Sequence, residues 1–102
     1  MDVPPSTSID GLLAAIAREW PVLRELGIRR LELFGSRARN EARVDSDVDL
    51  LAEFAPGRDL VDLVSATQHL EAVLGLPVDL ITPSGMHPEA RDSILRDLRE
   101  VE

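Results

Sequence analysis

The sequence predicts a single α/β (α+β) domain in which helices flank a small mixed sheet of three or more strands. Two observations indicate this class. Apolar residues recur at helical spacing in three segments, and three short segments have the composition and alternation of strands. The predicted element order is α-β-α-β-α-β-α. Because a long helix separates the second strand from the third, these two strands are expected to run parallel.

The first predicted helix follows residues 1–7, which are interpreted as a disordered lead before a domain of residues 8–102. Thr7 or Ser8 can cap this helix, because each offers a side-chain oxygen to the free backbone N–H groups of the first turn. Pro21 is expected to kink or split it. Its apolar residues at helical spacing are Ile9, Leu12, Leu13, Ile16, Trp20 and Leu23.

The predicted strands cover residues 29–34, 46–54 and 78–82. Side chains alternate between the two faces of a strand, so the second strand has one continuous apolar face. That face consists of Val48, Leu50, Ala52 and Phe54. The opposite face carries Asp47 and Asp49 side by side, and two carboxylates inside a strand need a physical explanation.

Two further helices complete the predicted fold. Residues 59–75 indicate an amphipathic helix that ends at Gly75. Its expected inward face consists of Leu60, Leu63, Val64, Thr67, Leu70 and Leu74. After a predicted loop at residues 83–88, the last helix covers residues 89–102 and is expected to face inward through Ile94, Leu95 and Leu98. Alternatively, this last stripe, with Met86 before it, docks a partner.

Composition restricts the classes of function. The 102 residues suit one domain, and the formal net charge of -8 argues against direct binding of nucleic acid, which needs a basic surface. The same charge permits a basic protein partner. The chain has no cysteine, which excludes disulfides and thiolate metal sites, and it has no apolar run long enough for a membrane span. We expect a cytoplasmic protein.

Three aspartates are candidate metal ligands. Asp47 and Asp49 share one strand face, and Asp79 takes the equivalent position in the third strand. Neighbouring carboxylates repel each other, and a divalent cation such as Mg²⁺ removes that repulsion because it binds several carboxylate oxygens at once. The simpler alternative is a solvated strand entry at residues 46–49 with an exposed Asp79.

A Gly-Ser turn precedes these carboxylates in the chain. Gly35 permits a positive φ and a close approach of a ligand to the backbone, and Ser36 offers a hydroxyl. The N-terminus of the short helical segment that follows presents free N–H groups, which suit a phosphate. The alternative is an ordinary strand-to-helix turn in which Ser36 caps the helix. Hydrogen-bond donors for phosphate beside a cation site are the groups that a reaction on a nucleoside triphosphate requires.

The segment "GSRARNEARVDSDVD" has the pattern Gly-Ser, ten residues, Asp-x-Asp, and it resembles the DNA polymerase β nucleotidyltransferase superfamily. Within that superfamily it resembles the minimal nucleotidyltransferases, the MNT-type antitoxins encoded beside HEPN-domain toxins. The segment "VDLIT" lies where that family carries its third carboxylate. The resemblance extends over nearly the whole chain.

The resemblance implies a role for each aspartate. Asp47 and Asp49 would bridge two Mg²⁺ ions that hold the triphosphate of ATP. Asp79 would complete the site of the second ion and help to deprotonate the attacking hydroxyl. The hydroxyl oxygen would then attack the α-phosphorus in line, and pyrophosphate would leave.

The resemblance also implies the nucleotide-binding residues. Gly35 and Ser36 would hold the β- and γ-phosphates, with Arg37 or Arg39 as helpers. The family usually has a second glycine where this chain has Asn40. Asparagine tolerates the left-handed region better than other non-glycine residues do, so the turn is expected to survive.

The resemblance implies that the chain is an antitoxin enzyme, which transfers AMP from ATP to a hydroxyl of its HEPN toxin. The implied acceptor is a tyrosine, and the chain and its toxin can form a hetero-oligomer. Two alternatives stay open. The chain can neutralise the toxin by direct binding alone, or it can modify a small molecule. His69 and His87 have no partner at metal-ligand spacing and are interpreted as structural.

Overall fold

The computed structural model describes residues 8–43 and 46–102. The expected disordered lead lies outside the described residues, as does Thr7. The main elements are α1 (Ile9–Ala17), α2 (Trp20–Glu25), β1 (Ile28–Phe34), α3 (Gly35–Ala38), β2 (Val48–Phe54), α4 (Leu60–Leu74), β3 (Val78–Ile81), α5 (Arg91–Asp97) and β4 (Arg99–Glu100). The predicted loop before α5 contains two short 3₁₀ turns, Pro83–Gly85 and Pro88–Ala90.

The four strands form one mixed sheet in the order β3-β2-β1-β4. The strand pair β2 and β3 is parallel, whereas β1 pairs antiparallel with both β2 and β4. The mixed sheet flanked by helices is therefore confirmed. So is the parallel pair, since α4 provides the long crossover that such a pair needs.

The N-terminal helical region is split as Pro21 predicted. Ser8 caps α1 and accepts a hydrogen bond from the backbone N–H of Gly11 at 3.2 Å. The second helix, α2, begins at Trp20 with Pro21 in its first turn. Proline is tolerated there because the first N–H groups of a helix have no intrahelical partner.

The two faces of the sheet are covered unequally. Helices α1, α2 and α4 cover one face, and the main core there includes Leu31, Leu33, Val48 and Leu50, all fully buried. On the other face a smaller cluster is formed by Phe34, Leu51, Ile94 and their partly buried neighbours Ile81, Met86, Ala90 and Leu98. Met86, which the sequence left available for a partner, packs in this cluster.

The inward face predicted for α4 was partly wrong. Leu60 and Val64 are 69% and 45% exposed, whereas Ala66, Leu70 and Leu74 are buried. An α-helix turns about 100° per residue, so Val64 lies about 100° around the helix from Leu63, which packs on the core. The sheet covers only the stripe through Leu63 and the three buried residues. The helix ends at Gly75, which adopts φ 68° as predicted.

The predicted last helix was too long. It ends at Asp97, and Arg99–Glu100 form the edge strand β4 against β1. Leu98 has extended backbone angles (φ -59°, ψ 130°), so the helix cannot continue through it. Pairing with β4 satisfies backbone groups that the edge of β1 would otherwise leave open. Leu95, expected to face inward, is 44% exposed.

Candidate active site

The carboxylates meet at the end of the sheet where β2 and β3 begin. Asp49 and Asp79 are direct partners in the parallel ladder between these strands. Asp47 lies one residue before β2, and its side chain is exposed, as is that of Asp79. Asp49 is partly buried. The pairing of Asp49 with Asp79 that the sequence predicted is therefore present.

The side chain of Asp49 is affected by burial and by the charges around it. Burial, followed by the charges of Asp79 and Asp47, raises the pKa of Asp49 to about 6. The positive charges of Arg39 and Arg37 act in the opposite direction on the pKa of Asp49. A cation bound between the carboxylates would relieve this repulsion, because it favours the ionised form of each.

The donor set suits a hard divalent cation. All three side chains offer carboxylate oxygens, which Mg²⁺ prefers over nitrogen or sulfur ligands. Across residues 8–43 and 46–102, however, no three His, Cys, Asp or Glu side chains already stand close enough together to hold a metal ion. The fit therefore depends on the ladder pair Asp49–Asp79 and on the exposed side chain of Asp47 turning toward it.

Gly35 lies directly against the side chain of Asp49. The last residue of β1, Phe34, pairs with Asp49 across the antiparallel ladder, which brings the next residue beside the Asp49 side chain. Gly35 has φ 75°, and a Cβ atom there would overlap the Oδ2 atom of Asp49. Glycine is therefore required at this position on two counts, backbone angle and space. Helix α3 begins at Gly35, with Ser36 in its first turn.

Both predicted helper arginines bond to other parts of the chain. Arg37 is only 5% exposed, and its Nε and Nη2 atoms donate to the backbone carbonyl of Ser46 at 3.1 and 2.8 Å. This bond ties α3 to the segment that leads into Asp47. Arg39 Nη1 donates to Asp97 Oδ2 at 2.7 Å, and Arg39 Nε lies 3.5 Å from Glu41 Oε1.

Sequence reasoning missed these partners of the arginines. The Ser46 acceptor is a backbone carbonyl and leaves no side-chain signal. Asp97 is 58 residues from Arg39 in the chain. The expectation for Asn40 is confirmed, since this residue adopts φ 59°. His69 Nε2 lies 2.7 Å from Glu19 Oε1, which agrees with its interpretation as a structural histidine.

Comparisons with known proteins agree with this geometry. A family model described as a nucleotidyltransferase domain matches residues 10–101. A candidate protein adenylyltransferase of Methanocaldococcus jannaschii is 44% identical over 79% of this chain and 87% of that protein. The protein adenylyltransferase MntA of Thermococcus cleftensis is 38% identical over 88% of this chain and 89% of its own.

Solved structures give the same fold. A candidate minimal nucleotidyltransferase superposes with a TM-score of 0.78 and 36% identity, over 91% of this chain and 95% of that one. A toxin–antitoxin complex with AMP-PNP gives a TM-score of 0.68 at 19% identity, over 84% and 72%. A complex of a tri-AMPylated HEPN toxin of Shewanella oneidensis with its MNT antitoxin gives 0.62 at 17% identity, over 88% and 71%. These last two likenesses concern the fold alone.

The described helices also bear on the membrane expectation. In the part of the chain that the structure describes, no helix has both the length and the apolar character needed to cross a bilayer.

The family match covers almost the entire domain, and the site residues of the motif lie within it. The chain belongs to the nucleotidyltransferase-domain family and is a nucleotidyltransferase of minimal type.

Proposed function

We propose that this chain is a Mg²⁺-dependent protein adenylyltransferase that acts as an antitoxin. It transfers AMP from ATP to a hydroxyl group, that of a tyrosine, on a partner HEPN-domain toxin. The observation that carries this proposal is the carboxylate pair Asp49–Asp79, with Gly35 packed against Asp49. The names of MntA and of the AMPylated toxin complex support the choice of AMP and of a protein acceptor.

Asp47, Asp49 and Asp79 are the residues that would hold Mg²⁺, as two ions. When bound, Mg²⁺ supplies neutralisation of the triphosphate charge and a template for in-line displacement. Each aspartate must be ionised to bind it. Because the pKa of Asp49 is raised to about 6, metal binding and proton release are coupled at that residue.

The other residues of the site bind and orient the nucleotide. Gly35 lets the backbone pass close beside the Asp49 carboxylate, and the Ser36 hydroxyl donates a hydrogen bond to a phosphate oxygen. Arg37 holds the segment before Asp47 in place through the Ser46 carbonyl. Arg39 reaches the phosphates if it exchanges its partner Asp97, and its exposed position permits that exchange.

The transfer step forms one bond to the α-phosphorus and breaks another. The hydroxyl oxygen of the acceptor forms a bond to the α-phosphorus, and the bond from that phosphorus to the bridging oxygen of pyrophosphate breaks. The hydroxyl proton passes to the carboxylate of Asp79. Positioning of the two reactants and stabilisation of charge provide most of the rate acceleration in such a step.

A second candidate function is neutralisation of the toxin by binding alone. The exposed apolar side chains on α4 favour a stable protein contact whether or not transfer occurs. The two candidates differ in one respect. Loss of a carboxylate removes neutralisation in the first case and leaves it intact in the second.

Intact-mass spectrometry tests the proposal. A purified HEPN-domain protein from the same genome is incubated with the chain, ATP and Mg²⁺, and its mass is measured. We expect an increase of one or more AMP units, none with Asp49→Asn, and the full increase with Asp10→Asn, a control at an exposed aspartate on α1. An unchanged mass despite a stable complex would contradict adenylyl transfer and support binding alone.

A further inference from the structure

The N-terminal half of α4 carries an exposed apolar surface. Leu60 and Val61 are each 69% exposed and Val64 is 45% exposed, and with Ser65 they line an open groove of about 250 Å³. We call these four residues the α4 outer surface. Single exposed apolar side chains are normal on proteins, but three within five residues of one helix form a contiguous patch, which is typical of an interaction site.

A second, larger groove adjoins this surface and shares Leu60 with it. It has a volume of about 550 Å³ and lies between the end of β2, the loop into α4 and the turn after β3. Its lining includes the apolar residues Phe54 and Leu63 and the polar residues Glu53 and Ser84. Glu53 is exposed, and Arg30, its partner across the β1–β2 ladder, is paired with Glu32 at 3.4 Å and with Glu100 at 3.9 Å.

We propose that the α4 outer surface and this groove dock the acceptor protein through a segment that is both apolar and basic. One Arg or Lys side chain of that segment enters the groove, with its aliphatic stem on the apolar lining and its charge at the acidic rim residues Glu53 and Asp59. Such side chains combine an apolar stem with a charged head, which matches this lining. The apolar side chains of the same segment cover Leu60 and Val61. The proposal rests on the proposed function, because it assigns the docking site of that acceptor.

Charge selects this occupant over a second copy of the chain. Each copy has a formal net charge of -8, so two copies repel each other, whereas a basic segment is attracted. The rim of the groove repeats this sign, because Glu53 and Asp59 are both exposed there. Arg58, also on the rim, is paired with Asp62 at 3.6 Å.

The docking surface lies at the opposite end of the sheet from the carboxylates. Phe54 is five residues beyond Asp49 in β2, which corresponds to roughly 17 Å along a strand. A free tyrosine, or a peptide of fewer than about five residues, cannot contact both places at once. A folded protein can, so docking at α4 selects the acceptor, and the carboxylate end performs the chemistry.

Calorimetric titration of the purified HEPN-domain partner into this chain, without nucleotide, tests the docking site. We expect the Leu60→Ser/Val64→Ser double variant to raise the Kd by about tenfold or more, the size typical of interface hot spots. Glu53→Lys should raise it more than Glu53→Gln does. The controls are Leu95→Ser, which removes a leucine that is 44% exposed from α5, and Glu25→Lys, which reverses an exposed charge on α2. Both controls should leave the Kd within about twofold.

Three results would overturn the proposed docking site. Wild-type affinity in the double variant, or an equal loss in Leu95→Ser, would overturn the α4 site. So would a dimer of the chain alone, seen in solution by light scattering and dissolved by the double variant, since the occupant would then be a second copy. Thermal unfolding checks that every variant is folded. The Asp49→Asn variant should bind the partner as the wild type does, because the carboxylates lie outside the docking site. A wild-type chain that docks through α4 but transfers no AMP would refute the proposed function and leave this inference standing.

Discussion

The two faces of the sheet differ in what their side chains do, and strand β2 shows the difference within neighbouring residues. Leu50 faces the helices α1, α2 and α4 and is fully buried, whereas Asp49 faces the other side, next to Asp79. Burial of an apolar side chain stabilises the fold, while the crowding of carboxylates costs free energy. At the start of β2 the alternation of one strand thus separates a residue that stabilises the fold from one that serves the chemistry, and the smaller cluster around Leu51 stabilises the second face beyond the carboxylates.

The largest expected effects come from changing each of these neighbours in turn. Leu50→Ala should lower the free energy of unfolding by about 2–5 kcal/mol, because it leaves a cavity in the main core. Asp49→Asn should reduce AMP transfer by on the order of a hundredfold or more, because Asp49 is one of the residues that would hold the Mg²⁺ that neutralises the triphosphate charge. Chemical denaturation and a transfer assay measure the two. If Asp49→Asn also unfolds the chain, the separation of the faces is refuted.

A smaller effect is expected at the contact between β1 and the carboxylates. Gly35→Ala places a methyl group against Asp49 Oδ2 at a residue with φ 75°, so it strains the backbone and displaces the carboxylate. We expect a loss of about 1–2 kcal/mol in stability, together with a weaker affinity for Mg²⁺ and nucleotide. Gly57→Ala is the control, because Gly57 also has a positive φ but its Cβ would meet no atom within 4 Å. Equal effects on nucleotide affinity would show that strain alone is responsible.

Arg37 tests whether the chemical face needs internal support. Arg37→Gln removes the two donors to the Ser46 carbonyl and should cost about 1–2 kcal/mol in stability, since a buried charge-assisted hydrogen bond is lost. It should also lower transfer, because Asp47 follows Ser46 directly. Arg37→Lys keeps one charged donor and should recover part of the transfer rate. If the folded Arg37→Gln variant transfers AMP at the wild-type rate, Arg37 does not support the active site.

The smallest expected effect is a dependence of stability on pH. The pKa of Asp49 is raised from 3.8 to about 6, so the folded state binds its proton more tightly than the unfolded state does. The wild type should therefore be most stable relative to Asp49→Asn below about pH 4, and lose stability relative to it as the pH rises through 6. The shift sets an upper bound of roughly 3 kcal/mol, and partial exposure of the carboxylate reduces the expected difference to about 1 kcal/mol. Unfolding curves of both proteins at several pH values measure it; a constant difference contradicts the raised pKa.

The neighbouring positions of Asp49 and Asp79 were predictable because they depend on local patterns. Strand alternation puts Asp49 opposite to Leu50, and the long crossover through α4 makes β2 and β3 parallel, which aligns Asp49 with Asp79. The turn at Gly35 follows from residue type in the same way. These inferences needed only a few consecutive residues and one rule of topology.

The features that the sequence did not predict depend on contacts between distant segments. Arg99 and Glu100 form a strand because β1 has an open edge, although their local sequence is compatible with a helix. The periodicity of α4 offers two adjoining apolar stripes, and only the packing against the sheet decides that Val64 is left outside. The bond from Arg37 to a backbone carbonyl has no counterpart in residue types.

Thermal unfolding with Mg²⁺ and a non-hydrolysable ATP analogue tests most directly whether the carboxylate face is a metal–nucleotide site. Binding to the folded state raises the midpoint of unfolding, by roughly 10 °C for a domain of this size when the ligand is at about a hundred times its Kd. We predict this rise for the wild type and for Asp10→Asn, and no rise for Asp49→Asn, at near-neutral pH. An equal rise in Asp49→Asn, or none in the wild type, would contradict the assignment of the site.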